Sequence, residues 1–506
     1  MKSPASSALV LALLMGSGGA RAADETLEPC RIAGLKHEVL CGSVDRALDP
    51  ARPEGARIAV HYAVVPAPAR GKRGDPIFFF AGGPGQSAIA LAPTFAATVA
   101  RLAYRRDLVF VDQRGTGRSA PLACAEDDRA AEARRPIAER IDVARGIARL
   151  AACMQGLQKL PHGDLRHYTT TIAMADVEAV RAALGAERIN LVGGSYGTRA
   201  VLEYLRQQPQ RVRRAVIDGV APPDMALAEN LGLDTAAALQ ALIDGCGRDA
   251  ACARRHPRLA AHWAALMKAP SSPAQVLDPA SGRLTTVAFT PELVAAMVRG
   301  PLYAPALAAA LPFAIDEAAA GRWQPLAGLA TAAGGGARAT RIAEGMHFSV
   351  ICAEDAAASG GEPPPRPALA GVETLLAAYA RPYRELCASW PRGAVPAEFR
   401  RIAPSPAPVL LLSGGLDPVT PPRHGQRVAE ALGPQARHAV APNAGHGLLN
   451  SGCGGDLLHG FVEAETDAQA LSVDARCLAR LPRPPAYVPP GLDAGDALTR
   501  PAGARP

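Results

Sequence analysis

The chain has 506 residues, a hydrophobic fraction of 49%, a formal charge of +7 and ten cysteines. That length suffices for a core domain plus a second unit. The positive charge is almost wholly arginine interleaved with acids, no basic run occurs and aromatics make up 4%, so nucleic-acid binding is poorly supported.

Lys2, the apolar run at 8–15 and the Ala20-Arg-Ala22 pattern read as a secretory signal over residues 1–22. The run falls well short of the ~20 residues a spanning helix needs. No later apolar run is longer, so stable membrane insertion is not expected. The expected location is exported, either periplasmic or extracellular. An even number of cysteines suits an oxidising compartment. Sequence does not fix their pairing; joining nearest neighbours would give Cys30–Cys41, Cys124–Cys153, Cys246–Cys252, Cys352–Cys387 and Cys453–Cys477. No Cys-x-x-Cys pair or His/Cys cluster occurs, so no metal site is expected.

In the mature chain, Pro76-Ile-Phe-Phe-Phe80 reads as a buried strand ending in Ala81-Gly-Gly-Pro-Gly-Gln-Ser87. Glycines there let the backbone approach a substrate, and the Gly83 N–H could point at an oxyanion. The strand Leu108-Val-Phe-Val111 leads into Asp112-Gln-Arg-Gly-Thr-Gly-Arg-Ser119, where Asp112 and Arg114 are expected to organise neighbouring loops. A helix is expected over 171–185, with Gly185 as its stop.

The strand Arg188-Ile-Asn-Leu-Val192 then runs into Gly193-Gly-Ser195-Tyr-Gly197 and a helical stretch from Thr198. A serine on a glycine-flanked turn between strand and helix is a nucleophile elbow. The Tyr196 N–H would be the second oxyanion donor. Asp218 follows the next strand and is a rival for the acid role. Residues 222–400 are rich in Ala and Leu at helical spacing, as at Leu231, Leu239 and Leu242, with loops expected at 332–336 and 360–365. Another apolar strand, 408–412, leads to Asp417. The run Ala436-Arg-His-Ala-Val440 leads to Asn443-Ala-Gly-His446-Gly447. The tail after 481 is Pro-rich and expected to be extended over the surface.

Ser195, Asp417 and His446 occur in the chain order of α/β-hydrolase triads, and each follows an expected strand. A serine hydroxyl is a weak nucleophile until a histidine takes its proton, and the histidine needs a carboxylate to fix its tautomer. Strands alternating with helices imply a mostly parallel sheet. The expected fold is therefore an α/β-hydrolase core over 23–221 and 403–480, with a mainly helical cap inserted at 222–402 and a tail over 481–506.

Gly82-Gly-Pro-Gly85, Asp112 to Ser119, Gly193 to Gly197, Gly414-Gly-Leu-Asp417-Pro-Val-Thr-Pro-Pro422 and Asn443 to Gly447 together resemble secreted bacterial tripeptidyl-aminopeptidase-like and proline-iminopeptidase-like α/β-hydrolases. The resemblance covers about 56–480 and is weakest at about 222–400. Family members often have His before Gly-Gly-Pro-Gly, where this chain has Ala81. The resemblance implies a serine peptidase acting on short peptides with a free amino terminus, needing no cofactor. Related iminopeptidases hold the substrate α-ammonium with cap glutamates, and Glu354, in Cys352-Ala-Glu354-Asp355, is the candidate here. An esterase or amidase on small molecules would be served by the same three residues, and a non-catalytic binding protein is the third reading.

Overall fold

A computed structural model describes residues 27–124, 135, 137–279, 281–334, 341–355 and 366–489. The expected signal at 1–22, the loop at 360–365 and the tail beyond 489 lie outside the described residues.

The first seven strands are β1 (Glu28–Cys30), β2 (Val39–Ala47), β3 (Arg57–Val65), β4 (Ile77–Phe80), β5 (Leu108–Val111), β6 (Ile189–Gly194) and β7 (Val212–Asp218). A separate hairpin, β8 (Ser272–Leu277) and β9 (Leu284–Phe289), precedes β10 (Val409–Gly414) and β11 (Ala436–Ala441). The main sheet has the order β1-β2-β3-β5-β4-β6-β7-β10-β11. Every neighbouring pair from β5 to β11 is parallel. β1, β2 and β3 extend the sheet in antiparallel fashion. All residues of β5 and β10 are buried. That is why they read as unbroken apolar runs: both of their faces are covered. The antiparallel β1 and β2 lie before the first strand expected from sequence.

Helix α1 (Ala88–Thr98) follows β4, α2 (Thr170–Ala183) precedes β6, and α3 (Tyr196–Gln207) leaves the β6 turn. Gly185 has a φ of 63° just beyond α2, as its stop-signal role requires. After β7 the chain rejoins the sheet only at β10. Between them run α4 (Leu227–Arg248), α5 (Pro291–Leu302), α6 (Gln324–Gly334), α7 (Glu344–Glu354) and α8 (Val372–Cys387). This segment has its own apolar core around Leu239, Trp263, Val294, Ile315 and Leu375. The β8–β9 hairpin was not expected within it; the ring of Phe289 stacks on Trp323 at 4.1 Å. Of the loop expected at 332–336, residues 332–334 are helical instead, because α6 runs on through Gly334, and 335–336 lie outside the described residues.

Helices α9 (Pro422–Leu432) and α10 (Gly454–Glu463) complete the layers. Phe95 of α1 and Leu458 and Phe461 of α10 cover one face of the sheet, against Val192, Val216 and Leu412. Val177, Val201 and Val428 of α2, α3 and α9 cover the other, against Val109, Leu191 and Leu411. The five cysteine pairs are those that join nearest neighbours. Cys352–Cys387 ties α7 to α8. The described part of the tail lies along the helical segment, where the Tyr487 N–H donates to the Ala309 carbonyl at 2.8 Å. No described helix is long and apolar enough to cross a membrane.

Candidate active site

Ser195 caps the N-terminus of α3 with φ 56° and ψ −124°. A non-glycine residue there carries about 1–3 kcal/mol of strain, and its surroundings must over-determine it. The Ser195 N–H donates to the Asp218 carbonyl at 2.8 Å. A Cβ at Gly197 would collide with the Phe80 carbonyl, and one at Gly193 with the Gly197 carbonyl. The glycines on either side of the serine thus let α3 start directly against β4 and β6. Tyr196 is the first residue of α3, and its hydroxyl is 2.7 Å from Thr170 Oγ1.

Asp417 and His446 stand beyond the ends of β10 and β11. The Asp417 Oδ1 accepts the N–H groups of Val419 and Thr420 at 2.8 and 2.9 Å. Its Oδ2 accepts the Thr420 hydroxyl at 2.7 Å and lies 2.7 Å from His446 Nδ1. Burial would raise the Asp417 carboxyl, but His446 and the Thr420 bonds hold it below its ordinary range. Burial would lower His446, but the Asp417 carboxylate outweighs it and the net displacement is upward. The His446 N–H donates to the Tyr303 carbonyl at 3.0 Å, and the two rings meet edge to face at 5.1 Å. Asp218, the rival acid, instead accepts the N–H groups of Leu448 and Leu449 at 2.7 and 2.8 Å.

Ser195 opens on a cavity of about 320 Å³ whose wall includes Gly83, Tyr196, Tyr303 and Thr420. Tyr303 and Thr420 both touch His446, so the Asp417–His446 pair lies directly behind two residues of that wall. Gly83 has a φ of 111°, which suits glycine, and starts the turn over the serine. The polar wall consists of Arg199, Arg299, Glu344, His347 and Asp355. Burial pushes His347 down to about 4, so it is neutral. Its Nδ1 lies 3.1 Å from the Pro84 carbonyl, and its Nε2 lies 3.2 Å from the Tyr383 hydroxyl.

Glu354 is not on that wall. It is fully buried, accepting the Thr170 N–H at 2.7 Å and hydroxyl at 3.0 Å, with Arg199 Nη1 at 3.3 Å. Burial pushes it up to about 7 against the pull of Arg199. Asp355 takes Arg199 Nη1 at 2.5 Å and the Leu227 N–H at 3.0 Å. Asp112 accepts from Ser87 Oγ at 2.7 Å and the Ile89 N–H at 3.1 Å, fixing the start of α1. Arg114 grips Asp176 through Nε at 2.7 Å and Nη2 at 3.0 Å. Thr420, Arg299, Glu344 and His347 were not singled out from sequence. Only Thr420 lay in a motif, three residues after Asp417. Among the described residues no three His, Cys, Asp or Glu side chains gather to hold a metal ion.

Residues 75–253 match the family described as alpha/beta hydrolase fold, and residues 375–470 match the family described as TAP-like protein. The chain has the α/β-hydrolase fold. Its relatives include the serine protease Hip1 of Mycobacterium tuberculosis, 32% identical over 211 residues covering 39% of each chain. The tripeptidyl aminopeptidase of Streptomyces coelicolor is 32% identical over 200 residues, 37% of this chain and 36% of that one. The proline iminopeptidase of Neisseria meningitidis serogroup B is 30% identical over 147 residues, 29% of this chain and 33% of that one. The matched stretches thus span well under half the length of these relatives. Within the superfamily, they support an aminopeptidase-like α/β-hydrolase.

Proposed function

We propose that this protein is an exported serine hydrolase that releases N-terminal residues or short peptides from peptides with a free amino terminus. The observation that carries the proposal is the 2.7 Å contact of His446 Nδ1 with Asp417 Oδ2, beside the cavity that holds Ser195. Ser195 attacks the scissile carbonyl while His446 takes its proton through Nε2. The N–H groups of Gly83 and Tyr196 receive the oxyanion. His446 then protonates the departing amine, leaving an acyl-enzyme on Ser195. Water, deprotonated by His446, attacks that ester and frees the acid. Asp417 holds the imidazole tautomer and balances its transient charge.

The helical segment between β7 and β10 acts as a cap that limits access to short chains. Glu354 is absent from the cavity wall whereas Glu344 lines it, so the α-ammonium falls to Glu344, whose Oε2 also accepts the Cys124 N–H at 3.2 Å. The peptidase names of the relatives support a peptide substrate. The five cysteine pairs fit an oxidising compartment outside the cytoplasm.

The test uses the protein and its Ser195→Ala variant on chromogenic peptide amides with free N-termini, their N-acetylated twins and a p-nitrophenyl ester. Serine-dependent cleavage that favours the free amines is expected. Cleavage of the ester alone would replace the peptidase with an esterase. Cleavage unchanged by Ser195→Ala would remove the mechanism.

A further inference from the structure

Buried arginines in this protein are matched by acceptors. Arg106 meets Asp75, Arg114 meets Asp176, and Arg199 is clasped by Glu354 and Asp355. Arg214 is met by the carbonyls of Phe461 and Val462. Arg299, which is half-buried, differs from them. It lies on α5 and lines the cavity that holds Ser195, yet among the described residues no carboxylate forms an ion pair with it. Tyrosines surround it instead. Its guanidinium sits 5.2 Å over the Tyr379 ring, and Tyr303 and Tyr383 share the cavity wall with it.

A guanidinium on a cavity wall with no carboxylate beside it is open to an anion, and its planar fork matches a carboxylate through two parallel N–H bonds. The hydroxyls of Tyr303 and Tyr383, on the same cavity wall, could add donors to the same oxygens. We propose that Arg299 is an anion-binding residue that receives a carboxylate of the substrate. This rests on the reading of the Ser195 cavity as the substrate site. Tyr303, on the same wall as Arg299, meets the ring of His446, the residue that would protonate the leaving amine. The anion site therefore lies on the leaving-group side, where a short peptide presents its C-terminal carboxylate. An acidic side chain offers the same chemistry from a second source.

The test compares tetra-alanine with a free C-terminus, its C-terminal amide, and an amidated peptide carrying one glutamate after the cleaved bond. The enzymes are wild type, Arg299→Gln and Arg299→Lys, each checked for folding by circular dichroism. The wild type should favour the free acid over the amide in kcat/KM by about tenfold or more, as a charge-assisted bond implies. Arg299→Gln should compress that ratio to about twofold or less, while Arg299→Lys keeps part of it. A preference for the glutamate peptide that Arg299→Gln abolishes would keep the carboxylate site and move its source to a side chain. An equal loss on acid and amide, or a ratio unchanged by Arg299→Gln, would overturn it.

If no peptide is cleaved, the peptidase reading fails separately, and thermal unfolding of the Ser195→Ala protein decides the anion site. A rise in Tm with the free acid but not the amide, lost on adding Arg299→Gln, would uphold the site. No rise would remove it.

Discussion

The carboxylate of Asp218 accepts the backbone N–H of Leu449 at 2.8 Å, joining positions 231 residues apart in the chain. With the companion bond to Leu448, it fixes the turn that begins at His446. Asp218→Ala would leave two buried N–H groups unsatisfied, at a cost of about 2 kcal/mol or more. The expected outcome is a lower urea midpoint together with reduced kcat, since the turn that carries His446 is loosened. A fall in stability with kcat intact would separate this turn from the chemistry.

Asp218 also gives a pH signature. Burial, opposed by the Leu449 and Leu448 N–H groups, raises its carboxyl from 3.8 to about 6. A folded-state value above the unfolded one means that the native protein holds the proton more tightly. Its contribution to stability is then complete below about pH 4 and is lost as pH rises through about 6. Glu354, pushed up to about 7, acts in the same direction over a slightly higher window. Asp218→Asn should flatten the decline in urea midpoint between pH 4 and 6 and leave the part above it. An unaltered decline would show that Asp218 is ionised throughout.

For His446 the sign is reversed in its consequence, because in its proposed role as base it must be neutral to work. Its displacement above 6.5 puts the acid limb of kcat/KM above pH 6.5. In Asp417→Asn only the weaker pull of Asp218 still opposes burial, so the inflection should move down. The rate should fall by roughly 10³ to 10⁴ as the tautomer is lost. A pH-rate profile on a chromogenic amide reads both effects, and an inflection that stays in place would count against Asp417 as the partner acid.

Thr420 spans the pair, with Oγ1 2.7 Å from Asp417 Oδ2 and 3.1 Å from His446 Nδ1. Thr420→Val removes the donor to Asp417 with little change of shape. The expected loss is about tenfold in kcat, with KM little moved, as for one hydrogen bond to a charged group. Thr420→Ser should recover most of it. If KM rose instead, the hydroxyl would be binding substrate.

Gly197→Ala tests the packing that supports the elbow. The added methyl has to displace the Phe80 carbonyl at the end of β4. Overpacking of this kind costs about 1–3 kcal/mol. Here it would also shift α3 and the Ser195 turn, so activity should drop by more than the Tm suggests. Unchanged kcat in a destabilised protein would show that the turn holds without this contact.

Much of this was legible because backbone constraint leaves a mark in sequence. Both sides of the central sheet are covered, so Phe78–Phe80 and Val409–Leu412 had to be apolar, and the turn after β4 needed Gly83 while the Ser195 turn after β6 needed Gly193 and Gly197. β2 was less visible, since Val39–Ala47 mixes Cys, Gly, Asp and Arg and gains its order from pairing with β3. The β8–β9 hairpin is exposed along much of its length, so no apolar pattern announced it. Glu354 and Asp355 are neighbours at the end of α7, yet only Asp355 reaches the cavity wall. That difference depends on how α7 is turned against α3, which no local pattern records. Nothing local distinguished Arg299 from other arginines; its place on the wall of the Ser195 cavity comes only from the docking of α5.

Arg199 sits one turn beyond Ser195 on α3 and closes on Glu354 and Asp355, while also reaching the carbonyls of Pro222 and Met225 where the chain leaves the sheet. A single arginine therefore rivets the helical segment to the helix that carries the serine. Removing one member of such a buried set costs about 3–5 kcal/mol, because the rest are left uncompensated. A chimaera that borrows its helical segment from a relative must import the two acids with it, or supply an uncharged residue at position 199. The boundaries for exchanging specificity between such enzymes are thus set by this clasp rather than by the ends of the helices.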